Sequence, residues 1–131
     1  MKSKKPKRNK RMQFWGKDEN DDSLIIEILN GQKTATVTSA DKYYEPGGEY
    51  DDGGWETGDM VDVYDLKKRC RCKIRITDVY PVKFGNVPER LWKGEACKSK
   101  KHFQDIHREC WPQYQLDDEY ELIATHFEIV R

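Results

Sequence analysis

The sequence predicts a small α+β barrel with peripheral helices. Three observations carry this. Short stretches rich in β-branched residues or alternating in polarity recur along the chain, as strands of a curled sheet do. Three short amphipathic stretches with helix start and stop signals lie between them. The chain has 131 residues, which suits one domain. The 11% aromatic content, with four Trp and seven Tyr, can build a compact core although 37% of residues are charged.

Taken in order, residues 1–11 hold seven Lys or Arg and no acid. This reads as a solvated basic tail, disordered over residues 1–12, with the folded domain spanning 13–131. Without those seven, 17 basic residues face 24 acidic ones. The body is therefore acidic, and any nucleic-acid contact requires a local basic patch or the tail. Residues 22–30 predict a helix. Asp22 or Ser23 stands at its N-cap, Leu24, Ile25, Ile28 and Leu29 form one apolar face, and Gly31 follows its end. Residues 33–38 read as a strand. If it is regular, Lys33 and Thr36 face opposite ways, and only a bend near its start joins them.

Residues 40–58, with five glycines and the aromatics Tyr43, Tyr44, Tyr50 and Trp55, predict a long loop. Those rings either stack on a nucleobase or fasten the loop to the body. Residues 59–65 and 69–80 alternate and predict two strands joined by a turn at Asp65-Leu66-Lys67-Lys68. On the second, Cys70 and Cys72 share a face with Ile74 and Ile76. Arg71, Lys73 and Arg75 share the other, to meet phosphate or to pair with acids on a neighbouring strand. Tyr80-Pro81-Val82-Lys83-Phe84 predicts an extended edge. Pro88 opens a helix to about Lys93. Residues 99–110 predict another, with Phe103, Ile106, His107 and Cys110 on it. Residues 120–130 read as the last strand.

Cys70, Cys72, Cys97 and Cys110 follow no common zinc spacing and read as reduced thiols, so no metal or cofactor is expected. No apolar run approaches the roughly 20 residues a membrane span needs. The N-terminus lacks the apolar stretch of a secretory signal. The sequence predicts a cytoplasmic protein with no membrane partner.

Individually these motifs are weak, but their order is specific. Phe14-Trp15-Gly16 precedes the first helix, and Gly31-Gln32-Lys33-Thr34-Ala35-Thr36 follows it. Then come Gly58-Asp59, Val82-Lys83-Phe84 through Val87, Gly94-Glu95, Phe103-Gln104-Asp105-Ile106-His107 and Phe127-Glu128-Ile129-Val130. Over residues 13–131 this set resembles the ASCH domain, a relative of the PUA RNA-binding barrel. Two positions depart from the family pattern. Lys93 stands where a Glu is common, and Cys110-Trp111 replaces an aromatic pair.

The resemblance implies a PUA-like β-barrel with a cleft between the Lys33/Thr36 strand and the helix bearing Glu95, taking RNA or a modified nucleoside. Some members are amidohydrolases that deacetylate N4-acetylcytidine with a Lys, a Thr and a Glu. Matched residue by residue, these are Lys33, Thr36 and Glu95. The chemistry is coherent, because a Thr hydroxyl needs an adjacent base to become a nucleophile, and a Lys in a cleft can serve as one. Glu95 then either protonates the leaving amine or holds Lys33. A non-catalytic RNA-binding module is the alternative, using Lys33, Tyr43, Tyr44, Trp55, Arg71, Lys73 and Arg75. A ribonuclease built on Lys33 with Glu95 or His107 is a further one. His107 itself reads as a packed, hydrogen-bonded core or rim residue rather than a catalytic one.

Overall fold

The structure, a computed structural model, describes residues 10–51 and 53–131. Most of the expected basic tail lies outside them. Its last positions do not: Lys10–Gln13 form strand β1, so the folded part begins earlier than the boundary after residue 12. The remaining elements are α1 (Ser23–Leu29), β2 (Ala35–Ser39), α2 (Ala40–Tyr43), β3 (Met60–Tyr64), β4 (Cys70–Lys83), α3 (Glu89–Gly94), α4 (Lys100–Cys110) and β5 (Glu121–Val130). A single 3-10 turn, Phe84–Asn86, links β4 towards α3.

One five-stranded sheet runs in the order β1-β3-β4-β5-β2, with β1 parallel to β3 and every other pair antiparallel. The predicted α+β class is observed. The barrel, however, closes only halfway, as a curled half-barrel. Among the described residues no ladder joins the edge strands β1 and β2, yet both border the same cleft. Pro81 sits where β4 pairs with β5 alone, because β3 and its lead-in end opposite Ile76. On that unpaired side a missing N–H breaks no ladder bond.

Each sheet face has its own core. On one, Val61 and Val63 of β3 and Ile74 and Ile76 of β4 meet Ile25 and Ile28 of α1. On the other, Ala35 and Val37 of β2 and Leu122 and Ala124 of β5 lie under Leu91 of α3 and Phe103 of α4. Strand alternation sorts these residues between the faces. A register shift between Val63 and Tyr64 breaks the shared face expected of the cysteine pair. Cys70 is exposed, while Cys72 packs against the first core.

The α1 helix stops as predicted. Asn30 and Gly31 donate to the carbonyls of Ile26 and Ile28, and Gly31 turns the chain at φ 82°. Only glycine enters that region without steric cost. The next residue but one, Lys33, is thereby delivered into the protein rather than into solvent.

Candidate functional site

From Lys33 to Ser39 the chain alternates without interruption. Lys33, Ala35, Val37 and Ser39 are buried, and Thr34, Thr36 and Thr38 are half-buried. No bend brings Lys33 round to the face of Thr36. Instead the Lys33 side chain runs forward along the chain to the start of β2. Its Nζ donates to the Ala35 carbonyl at 3.0 Å and to Glu95 Oε1 at 3.1 Å. The peptide carrying that carbonyl joins Ala35 to Thr36, so the amine lies close to the Thr36 backbone, on the opposite face.

Glu95 is brought to Lys33 by backbone geometry. Thr34 N–H donates to the Gly94 carbonyl at 2.6 Å, and Lys33 and Glu95 form an isolated antiparallel bridge. This approach needs glycine at 94. A Cβ there would stand 2.8 Å from Ala35 Cβ and 3.1 Å from Thr34 Oγ1. The side chains of Lys33 and Glu95 are only 5% and 8% exposed. A buried ion pair so placed is held by geometry and extra hydrogen bonds, since burial weakens solvation of both charges. Beyond it, Glu95 Oε2 faces His107 Nε2 at 3.4 Å. His107 is buried on α4, and its Nδ1 bonds to the Phe103 carbonyl at 2.7 Å.

In front of this chain of polar groups lies a cleft of about 430 Å³ between the two sheet edges. That volume lies within the roughly 300–1,000 Å³ of small-molecule sites. Phe14 and Trp15 border it from the segment after β1, Thr36 and Thr38 from β2, and Trp111 and Tyr114 from the segment after α4. Tyr50 and Trp55 line it as well. Lys33 Nζ lies 5.7 Å from the Phe14 ring centroid, and the His107 ring packs edge-on against Trp111 at 5.1 Å. The Lys33–Glu95–His107 array thus sits one side-chain layer behind the wall, and Thr36 is in the wall.

A family model described as the ASCH domain matches residues 10–131. The chain belongs to the ASCH domain family. Among solved structures, the crystal structure of an ASCH domain from Lactobacillus crispatus JV V101 is similar, with a TM-score of 0.74 and 20% identity. The match covers 92% of this chain and 78% of that one. A protein from Enterococcus faecalis V583 is similar too, with a TM-score of 0.74 and 22% identity, covering 94% of this chain and 76% of that one. At such identities the likeness is one of fold. No curated protein matches the chain.

The other sequence-predicted positions of this ASCH domain fall away from the cleft or are already engaged. Tyr43 stacks on Tyr50 at 5.0 Å and receives the Trp55 N–H on its hydroxyl at 2.9 Å. Trp55 is buried in the first core while bordering the cleft. Tyr44 is 64% exposed and lies outside the cleft lining. Arg71 pairs with Asp22 and Asp65, Lys73 with Asp62, and Arg75 with Glu128. The basic stripe of β4 is thus matched by neighbouring acids, away from the cleft. Burial and the adjacent Glu95 push the Cys97 thiol up to about 11, so it is no thiolate nucleophile at neutral pH. Among the described residues no three His, Cys, Asp or Glu side chains cluster to hold a metal, and no helix is long and apolar enough to cross a membrane.

Two features of the site carried no strong sequence signal. Arg11 and Lys42 border the cleft from β1 and α2, and among the described residues neither has an acid partner. The second feature is a half-buried cluster on β4 and β5. His126 Nε2 meets the Tyr80 hydroxyl at 2.8 Å, and Arg90 lies over the Tyr80 ring at 4.4 Å and pairs with Asp78 at 2.8 Å.

Burial, and then the nearby Arg90, lower the His126 pKa from its usual 6.5. Between the lowered value and 6.5 the unfolded chain binds more protons than the folded one. Its contribution to stability is therefore complete above 6.5 and lost as pH falls towards the folded value. Melting curves from about pH 7 to about pH 5 should show this acid-side fall reduced in His126→Gln. An unchanged fall in that variant would assign it to other groups.

Proposed function

We propose that this ASCH domain takes a single nucleobase, as a nucleoside or an unpaired base of RNA, into the cleft between β1 and β2, and removes an N-acyl group from it. One observation carries the reading. A base-sized cleft rimmed by aromatic rings has Thr36 in its wall, and the Ala35 carbonyl, on the peptide leading into Thr36, accepts from the amine of the buried Lys33–Glu95 pair. Stacking on rings is worth about 1–3 kcal/mol per base and tolerates any sequence. The hydroxyls of Thr36 and Thr38 supply the polar contacts that orient such a ligand.

In the reaction, Thr36 Oγ1 attacks the acyl carbonyl. Its proton passes to the Lys33–Glu95 pair and on to the departing exocyclic amine, breaking the C–N bond. Water then hydrolyses the acyl-Thr36 ester, releasing acetate and restoring the hydroxyl. Ligand binding has to bring the amine and hydroxyl closer than they stand in the structure, as catalytic contacts often tighten only in the complex.

The test is N4-acetylcytidine with the full chain. Saturable quenching of the cleft tryptophans and release of acetate are expected. Thr36→Val, which keeps the strand's shape, should retain the quenching and lose acetate release by about 100-fold or more. Absence of acetate from the wild type removes the hydrolase reading, and absence of saturable quenching removes the cleft.

Arg11 and Lys42 favour a second reading, an RNA-binding module in which the same cleft holds a base without chemistry. Both are cations at its rim without acid partners among the described residues, although Glu49 stands there as well. Saturable quenching by RNA that weakens steeply with salt, without acetate release, is its signature.

A further inference from the structure

Among the described residues, the one side-chain polar atom that is buried without a hydrogen bond is Glu95 Oε2. It is not pointed at apolar surroundings. It faces His107 Nε2 at 3.4 Å, across a gap between two side chains that are 8% and 10% exposed. The imidazole is held on three sides. Its ring lies 4.1 Å from that of Phe103 and 5.1 Å from that of Trp111, and Nδ1 is 2.7 Å from the Phe103 carbonyl. A carbonyl oxygen can only accept, so Nδ1 carries a hydrogen. With no second hydrogen, Nε2 would present a lone pair to a carboxylate oxygen. Two acceptors would then face each other away from water, each left unsatisfied.

We propose that His107 is a positioning residue of the Lys33–Glu95 site, holding one hydrogen in the gap between its Nε2 and Glu95 Oε2. The carboxylate is then tied at both ends, with Oε1 on Lys33 Nζ and Oε2 on the imidazole. Rotation about its terminal bond breaks both contacts, so the Lys33 amine stays fixed beneath Phe14 and beside the Ala35–Thr36 peptide. Because Trp111 packs edge-on against the same imidazole and borders the cleft, a base stacking there lies one ring away from this hydrogen. The helical spacing of Phe103 and His107 puts both on the buried face of α4, which is also how a purely packed histidine would sit. The orphaned Oε2 separates the two cases.

The hydrogen is a property of the folded chain, and only the kinetic test below rests on the proposed hydrolase activity. Nitrogen NMR of the 15N-histidine-labelled full chain, with resonances assigned through their loss in His107→Gln, reads it directly. The expected result is an Nδ1 bearing hydrogen and an Nε2 shifted well away from a bare imidazole nitrogen. An Nε2 at the bare position overturns the proposal. For the kinetics, His107→Phe keeps a ring and removes the donor, whereas His107→Gln keeps an amide donor. Acetate release from N4-acetylcytidine should fall up to about 100-fold in kcat for His107→Phe, with KM little changed. His107→Gln should retain more activity. Unaltered kcat in His107→Phe, or a loss confined to KM, overturns the positioning role. If the wild type itself releases no acetate, the hydrolase reading fails and the NMR result alone decides this proposal.

Discussion

Replacing Lys33 with Met lowers the free energy of unfolding by about 3–5 kcal/mol, and replacing Glu95 with Gln in the same chain recovers part of that loss. The reason is the asymmetry of a buried pair. Lys33 and Glu95 touch at 3.1 Å with side chains 5% and 8% exposed. Together they offset much of the cost of leaving water. Alone, either charge keeps that cost and loses its partner. The Met variant also strips the Ala35 carbonyl of the amine that reaches it at 3.0 Å. A domain of this size is stable by roughly 5–15 kcal/mol, so the single change is a large fraction of the whole. Urea unfolding of the wild type, the two single variants and the double variant gives the coupling between the positions. A loss below about 1 kcal/mol for Lys33→Met is what exposed, solvated pairs show, and would place the contact at the surface.

How far such a pair can be read from sequence depends on which forces define it. The α1 helix was legible because its information is local: an apolar face at helical spacing and a glycine just past its end. The β3 and β4 strands were legible from alternation, which the buried Val61, Val63, Ile74 and Ile76 follow. By contrast β1, Lys-Arg-Met-Gln, buries Met12 alone, and it is a strand because β3 lies beside it. No window of local sequence contains that partner. The one-turn α2 was hidden inside a loop signal for a similar reason.

The candidate site divides the same way. Lys33 and Glu95 are 62 positions apart. Only the order of motifs along the chain suggested their meeting, and Gly94 was the local trace of it. Alternation gave the direction of Lys73 and Arg75 but not their fate. Their partners Asp62 and Glu128 stand across the strands, where register decides. His107 was legible as a buried residue from its spacing to Phe103. That it faces Glu95 depends on how α4 docks against α3, which no local pattern encodes.

Truncating Phe103 to Ala should therefore damage both the fold and the site. The side chain is fully buried, with its ring 6.3 Å from that of Phe84 and 4.1 Å from that of His107. Removing a buried Phe ring costs about 3–5 kcal/mol, part from lost transfer free energy and part from the cavity left behind. Phe103→Leu fills most of that space and should cost less than about 1.5 kcal/mol. The two variants also differ at His107. In both, the Phe103 position keeps its backbone carbonyl, so Nδ1 keeps its acceptor. Only the Ala variant removes the surface on which the imidazole rests, freeing it to tilt away from Glu95 Oε2. Urea unfolding should rank the Ala variant well below the Leu variant. Nitrogen NMR should show Nδ1 unchanged in both and Nε2 moved towards the bare position in the Ala variant alone. Equal stability of the two variants would mean that α4 is not anchored through this ring. The carboxylate's second contact would then have to be maintained by Trp111, the only other ring packed on His107 among the described residues.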